Sequence, residues 1–205
     1  MGHETKQDIE KLNRLENDLK NEYTNPIKMF EVAILYIEPF HKEDKAIILL
    51  KNILDLEPQN ELAKIWLSFC YLHYLMDKDS LFQAEELLKS IISNQNSLQM
   101  GAAKMLLAET LDDLNKVTWS QKAKLLEQSV SLEPTWVKNR YNLAFTYKQL
   151  GKLSEAIAQI DLAIKNIIIP AAFLKDSEIL YEESITGRFS KREFLQKIKK
   201  RFLTE

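Results

Sequence analysis

Few side chains of this 205-residue sequence stand where they could do covalent or acid–base chemistry. The histidines are His3, His41 and His73, and the single cysteine is Cys70. Cys70 and His73 are three apart, so on a helix they share a face and could form half of a metal site. The sequence holds no second close Cys/His pair to complete it. Cys70 lies in the aromatic-rich run Trp66–Leu75, where a buried, inert thiol is the ordinary outcome. The acid pairs Glu85–Glu86 and Asp112–Asp113 stand among good helix formers, and solvated helix faces account for them. There is no phosphate-cradling glycine loop and no nucleophile motif. These side chains predict a protein that is not an enzyme and that uses no cofactor and no metal.

The residues supply binding chemistry more readily. Arg188, Lys191, Arg192, Lys197, Lys199, Lys200 and Arg201 cluster in one segment with Phe189, Phe194, Ile198 and Phe202. A basic amphipathic helix of this kind can meet acidic lipid, nucleic acid or an acidic partner. It can equally cap a helical array, apolar side inward and lysines in water, with the cations favoured near the helix C-terminus. The net charge of −2 argues against a chain that binds nucleic acid over its whole surface.

The elements that must carry these groups are helices. Glycine and proline are sparse, at four and five residues, while Leu, Ile, Lys, Glu, Ala and Asn dominate, which predicts an all-α chain with short connections. The first residues lack an apolar core of signal-peptide length, and no run of about 18 apolar residues suggests a transmembrane helix. With one cysteine, a reducing compartment is the natural setting. The expectation is a soluble, cytoplasmic protein.

Residues 4 to 23 alternate acids and bases around Ile9, Leu12, Leu15, Leu19 and Tyr23, one apolar helical stripe. Thr24-Asn25-Pro26 ends this helix and starts another. Further along, Ala46, Leu50, Ile53, Leu54 and Leu56 are read at one inner helical spacing, and so are Ala84, Leu88 and Ile91. Leu-Glu-Pro at 56–58 recurs at 132–134, 76 residues later, or two periods of 38. Asp79 or Ser80 is the expected cap of the helix carrying Ala84, with Ser80 and Gln83 at capping-box spacing, and Thr118 with Gln121 offers another capping box. Ser190 with Glu193 has the same spacing before the basic helix.

Asn139 to Ile164 is the most regular stretch. Leu143, Ala144 and Tyr147 fall on one helical face. Gly151 stands where that helix must stop, and Ser154 can cap the next. Ala156, Ile160 and Ala163 form the inner stripe of the second helix. This pattern, Leu-Ala-x-x-Tyr, then Gly, then Ala-x-x-x-large-x-x-Ala, resembles the tetratricopeptide repeat (TPR). Trp66, Leu67, Ser68 and Tyr71 resemble its first helix again, as do Leu107, Ala108 and Leu111. Lys122 takes a place where the family usually has a small residue, so either that helix is rotated or Lys122 snorkels from the seam.

The resemblance implies an all-α, right-handed TPR-like solenoid of about four antiparallel helix pairs, at about 26–59, 60–96, 97–134 and 135–168. Residues 1–25 would form a leading helix and 169–205 trailing capping helices. It also implies a protein or peptide partner held in a concave groove lined by the first helix of each pair. The aligned groove positions are Ile65, Phe69, Leu72 and His73 in the second repeat. Met105, Glu109, Asp112 and Asp113 follow in the third, then Lys138, Tyr141, Asn142, Phe145 and Lys148 in the fourth. Packing against neighbouring helices is the alternative for Phe69, Met105, Tyr141 and Phe145. Mutual pairing on a wet surface is the alternative for Asp112, Asp113, Lys138 and Lys148. The clamp with which some TPR cochaperones grip the C-terminal carboxylate of Hsp70 or Hsp90 is absent. Glu31, Leu35, Trp66, Ala102 and Leu106 occupy its places, and only Lys138 and Asn142 look like fragments of it. The expected function is a non-catalytic adaptor, scaffold or chaperone-like module that takes an apolar or amphipathic segment. Two alternatives stand beside it. One is membrane or nucleic-acid surface binding through the basic C-terminal helix. The other is self-assembly into a homo-oligomer.

Overall fold

The computed structural model describes residues 5–22, 24–38, 40–166 and 192–204. They form ten α-helices and one π-turn, with no strand among them. The helices are α1 (Lys6–Asn21), α2 (Pro26–Ile37), α3 (Glu43–Leu56), α4 (Glu61–Cys70), α5 (Lys78–Ile92), α6 (Met100–Asp113), α7 (Trp119–Leu132), α8 (Val137–Gln149), α9 (Leu153–Asn166) and α10 (Arg192–Thr204). The chain divides into two compact units, Met1–Gln99 and Met100–Glu205. In the first, α1 packs on α2, α2 on α3, α3 on α4 and α4 on α5. In the second, α6 to α9 pack in the same sequential way and α10 lies on α9.

Helix starts follow from side chains that satisfy the free N–H groups of a first turn. The Thr5 hydroxyl accepts from the Asp8 N–H, and the Asp8 carboxylate takes the Thr5 N–H at 2.9 Å. Asn25 accepts from the N–H groups of Ile27 and Lys28, with Pro26 at the first helical position. Thr118 and Gln121 form the expected capping box. Two expected caps differ. α5 is capped by Asp77, which accepts the Ser80 N–H at 2.9 Å and the Ser80 hydroxyl at 2.6 Å, so the helix begins before Asp79 and Ser80. α9 begins at Leu153, which puts Ser154 inside the first turn. Ser190 of the expected pair with Glu193, and residues 169–191 of the expected capping helices, lie outside the described residues.

The second helices of the pairs share one buried register. Ala46, Leu50 and Ile53 of α3, Ala84, Leu88 and Ile91 of α5, Lys122, Leu126 and Ser129 of α7, and Ala156, Ile160 and Ala163 of α9 are all buried. The first of each triad recurs after 38, 38 and 34 residues. α7 is therefore not rotated. Lys122 keeps the register and carries its ammonium out of the seam to Asp112 at 2.6 Å. Ser129 stands where the other triads have Ile or Ala. Its hydroxyl donates to the Gly101 carbonyl at 2.7 Å and accepts from the Asn139 amide at 2.8 Å, tying α7 to α6 and α8. The Glu133 side chain, just past the end of α7, lies close over Gly101: a Cβ there would fall 2.4 Å from its Cγ, so any larger residue at 101 must displace that side chain.

Each first helix is followed by one residue in the left-handed region: His41 (φ 49°), Met76 (57°), Asn115 (54°) and Gly151 (73°). After α8 the Gly151 N–H bonds the Lys148 carbonyl and the Lys152 N–H bonds that of Tyr147, a Schellman end. Asn115 and Lys116 bond Asp112 and Leu111 in the same way after α6. α4 instead unwinds through the π-turn Tyr71–Leu75, and the Met76 N–H reaches the Tyr71 carbonyl.

A left-handed backbone costs an L-residue about 1–2 kcal/mol, partly offset when glycine replaces it by the entropy glycine loses. Met76 is 63% exposed, so its side chain contributes little packing. Met76→Gly is expected to raise the stability of the folded chain by about 0.5–1 kcal/mol. Gly151→Ala, although nothing lies within 4 Å of the new Cβ, is expected to lower it by about 1 kcal/mol. Urea unfolding followed by circular dichroism checks both signs.

Candidate functional site

In the first unit, α4 and its π-turn carry four of the sequence-predicted groove residues. Ile65, Phe69 and Leu72 are buried, at 1%, 3% and 2% exposure, and His73 is half-buried. Phe69 is the hub of an aromatic cluster. Its ring meets Trp66 at 5.6 Å, His73 at 4.6 Å and Tyr74 at 5.8 Å, each edge to face. The packing alternative therefore describes Phe69. The neighbouring Cys70 is fully buried, and burial, with the charge of Glu43 second, pushes its thiol up to about 12. Such a thiol stays protonated at neutral pH and is a poor nucleophile and metal ligand. Among the described residues no three His, Cys, Asp or Glu side chains converge as metal ligands.

In the second unit, α6 and α8 bring most of the remaining residues together. Met105 is completely buried, so it too packs inside. Glu109 of α6 accepts from the Lys138 ammonium at 3.2 Å and from the Asn142 amide, both on α8. Lys138 is itself 7% exposed, so this pairing is shielded from water and locks one helix against the other. Asp112 is held by Lys122 of α7. Asp113 makes no hydrogen bond or ion pair among the described residues. Partial desolvation, with the charges of Asp112 and Glu109, holds its carboxyl above the usual range, against the opposing pull of Lys122.

Beside these charges lies an aromatic pair. Phe145 of α8 is 39% exposed and meets Trp119, at the first position of α7, edge to face at 6.2 Å. The Lys122 ammonium sits 5.3 Å from the Trp119 ring. Tyr141 is half-buried against the core of Val137, Ala144, Ala156, Ile160, Ala163, Leu195 and Phe202. The Lys148 ammonium lies over the Phe202 ring of α10 at 5.1 Å. The aligned positions thus divide by depth. Met105, Glu109, Lys138 and Asn142 form a frame, while Asp113 and Phe145 face outward. Sequence reasoning missed Trp119. The signal was its place directly after the Thr118 cap, where the chain turns back towards α8.

The basic C-terminal segment is partly described. Arg188 and Lys191 lie outside the described residues, and Arg192 opens α10. Lys197, Lys200 and Arg201 are exposed, and Lys199 pairs with Asp161 of α9 at 2.6 Å. Leu195 and Phe202 are buried and Ile198 packs beside them, so the apolar stripe of α10 lies against the unit's core.

No family model matches this chain, and no curated protein matches it. Solved structures do. A thermophilic TPR protein of Thermus thermophilus, TTC0263, superimposes with a TM-score of 0.62 at 20% identity, covering 89% of each chain. MamA from Desulfovibrio magneticus RS-1, residues 41 to the end, gives 0.61 at 16% identity, covering 78% of this chain and 86% of that one. A MamA of AMB-1 gives 0.57 at 19% identity over 78% and 89%. With helix pairs that share one buried register and end their first helices on a left-handed residue, the fold of this chain is that of the tetratricopeptide repeat.

Proposed function

We propose that the protein is a non-catalytic interaction module that takes a protein or peptide segment on the α6–α8 face of its second unit. The observation that carries this reading is the outward Phe145–Trp119 pair beside the unpaired Asp113, mounted on helices locked by Glu109. Aromatic rings give much contact area for little rotamer entropy, and a frame already ordered loses little more on binding. The segment that fits carries an apolar or aromatic side chain for the ring pair and an adjacent Lys or Arg for Asp113. An adaptor or scaffold role follows from such a surface. The inert Cys70 suits a reducing compartment such as the cytoplasm. No helix among the described residues is long and apolar enough to cross a membrane. Surface binding through α10 is the weaker reading, because Leu195, Ile198 and Phe202 are already packed on the unit's core and Leu203 is the large apolar side chain seen exposed beside the basic edge.

Panning a random peptide library against the full chain tests this. The selected peptides are expected to pair an apolar residue with Lys or Arg, and Phe145→Ser should weaken them about tenfold, as loss of a central aromatic contact does. Peptides that bind Phe145→Ser as tightly, but lose affinity on Lys200→Glu with Arg201→Glu, would move the site to α10.

Asp113→Asn separates binding from stability. A carboxyl whose folded pKa is raised contributes stability that is present below its unfolded pKa and lost as pH rises through the folded one. At neutral pH the variant should therefore be more stable than wild type, and the gap should close in acid. Its affinity for the cationic peptides should fall. Urea midpoints at neutral and acid pH, with peptide titrations, check both parts.

A further inference from the structure

Between α3, α4 and α5 of the first unit lies a cleft of about 530 Å³. It is lined by Lys64 and Leu67 of α4 and Tyr71 of the π-turn rather than by Ile65 and Phe69. Lys64 lines its floor and is only 7% exposed. Its ammonium donates to Ser90 Oγ at 3.0 Å and to Gln59 Oε1 at 3.4 Å, and these neutral atoms are its partners among the described residues. An ammonium has three N–H donors, so one is left over. Burying a cation without a bonded counter-charge opposes folding, and an apolar side chain of the same length would pack at no such penalty.

The surroundings indicate what the spare donor can take. A second ammonium, that of Lys51, lies over the Tyr71 ring at 5.6 Å on the same cleft. Leu54 and Leu67 give apolar wall. Asp55 and Glu86, both exposed, stand on the rim. Two cations favour an anion, while two rim carboxylates disfavour a second negative charge on it. An apolar body suits the walls.

We propose that this cleft binds a monocarboxylate on an apolar body, with its carboxylate on the Lys64 ammonium and Lys51 closing over it. The inference is independent of the peptide surface proposed for the second unit. The carboxylate can belong to a free small acid or to a peptide C-terminus, which present the same chemistry.

Calorimetric titration of the full chain with hexanoate, N-acetyl-leucine, N-acetyl-leucinamide and inorganic phosphate tests it. Hexanoate and N-acetyl-leucine are expected to bind, and the amide and phosphate to bind much more weakly. Lys64→Met should weaken both carboxylates about tenfold or more, the loss typical of a charged hydrogen bond. The same change should raise the urea midpoint of the unliganded protein. Lys51→Ala alters only an exposed side chain and should weaken the same ligands, which keeps the test sound if Lys64→Met folds poorly. Tighter binding of N-acetyl-leucine than of hexanoate would point to a peptide C-terminus, and the reverse to a free acid. Absence of carboxylate binding to the wild type, or affinities unchanged in both variants, would overturn the proposal.

Discussion

The constraint on which each unit depends is the close approach of paired helices, which is possible only where the facing side chains are small. The first helices meet it with Ala33, Ser68, Ala108 and Ala144, and the second with Ala46, Ala84 and Ala156, all buried. Larger residues one or two turns on, such as Leu50, Leu88, Leu126 and Ile160, then fill the space beside the seam. The third pair breaks the rule with Lys122 and keeps the seam only because the long stem leads the charge out to Asp112. That exception has a consequence for the surface. It occupies one acid of the Glu109–Asp112–Asp113 group, as Lys138 and Asn142 occupy another, and leaves Asp113 facing outward.

Much of this was legible because it is periodic. The Ala-Leu-Ile triads, the repeated Leu-Glu-Pro and the pattern around Gly151 specify helices, pairing and register without reference to tertiary contacts. The chain ends of the first helices were less legible. All four pass through a left-handed residue; Gly151 announces it by residue type and Asn115 more weakly, whereas Met76 gives no such sign. Nothing in Tyr71–Leu75 distinguishes a π-turn from one more helical turn, and α5 opens directly after Met76 on the Asp77 cap.

The helix face of each candidate residue was legible, but its depth was not. Helical spacing gives the face on which a residue lies, whereas burial depends on what the neighbouring helices cover. Ile65, Phe69, Leu72 and Met105 lie inside, and Phe145 on the same kind of position lies half outside. Trp119 and Lys64 were missed for related reasons. One acts only with Phe145, from a different helix, and the other is distinguished by the counter-charge it lacks, which no sequence pattern displays.

A frame of paired polar groups with a few outward contacts beside it is an economical way to hold a binding surface still. The direct measurement is a map of amide chemical-shift changes, by NMR on the isotope-labelled chain, as a selected cationic–apolar peptide with an amidated C-terminus is added. Binding at the proposed face should shift the amides around Asp113, Trp119 and Phe145 first and most, and leave those around Lys51 and Lys64 unchanged. Shifts concentrated on Lys197 to Arg201 of α10, with the α6–α8 residues silent, would contradict it.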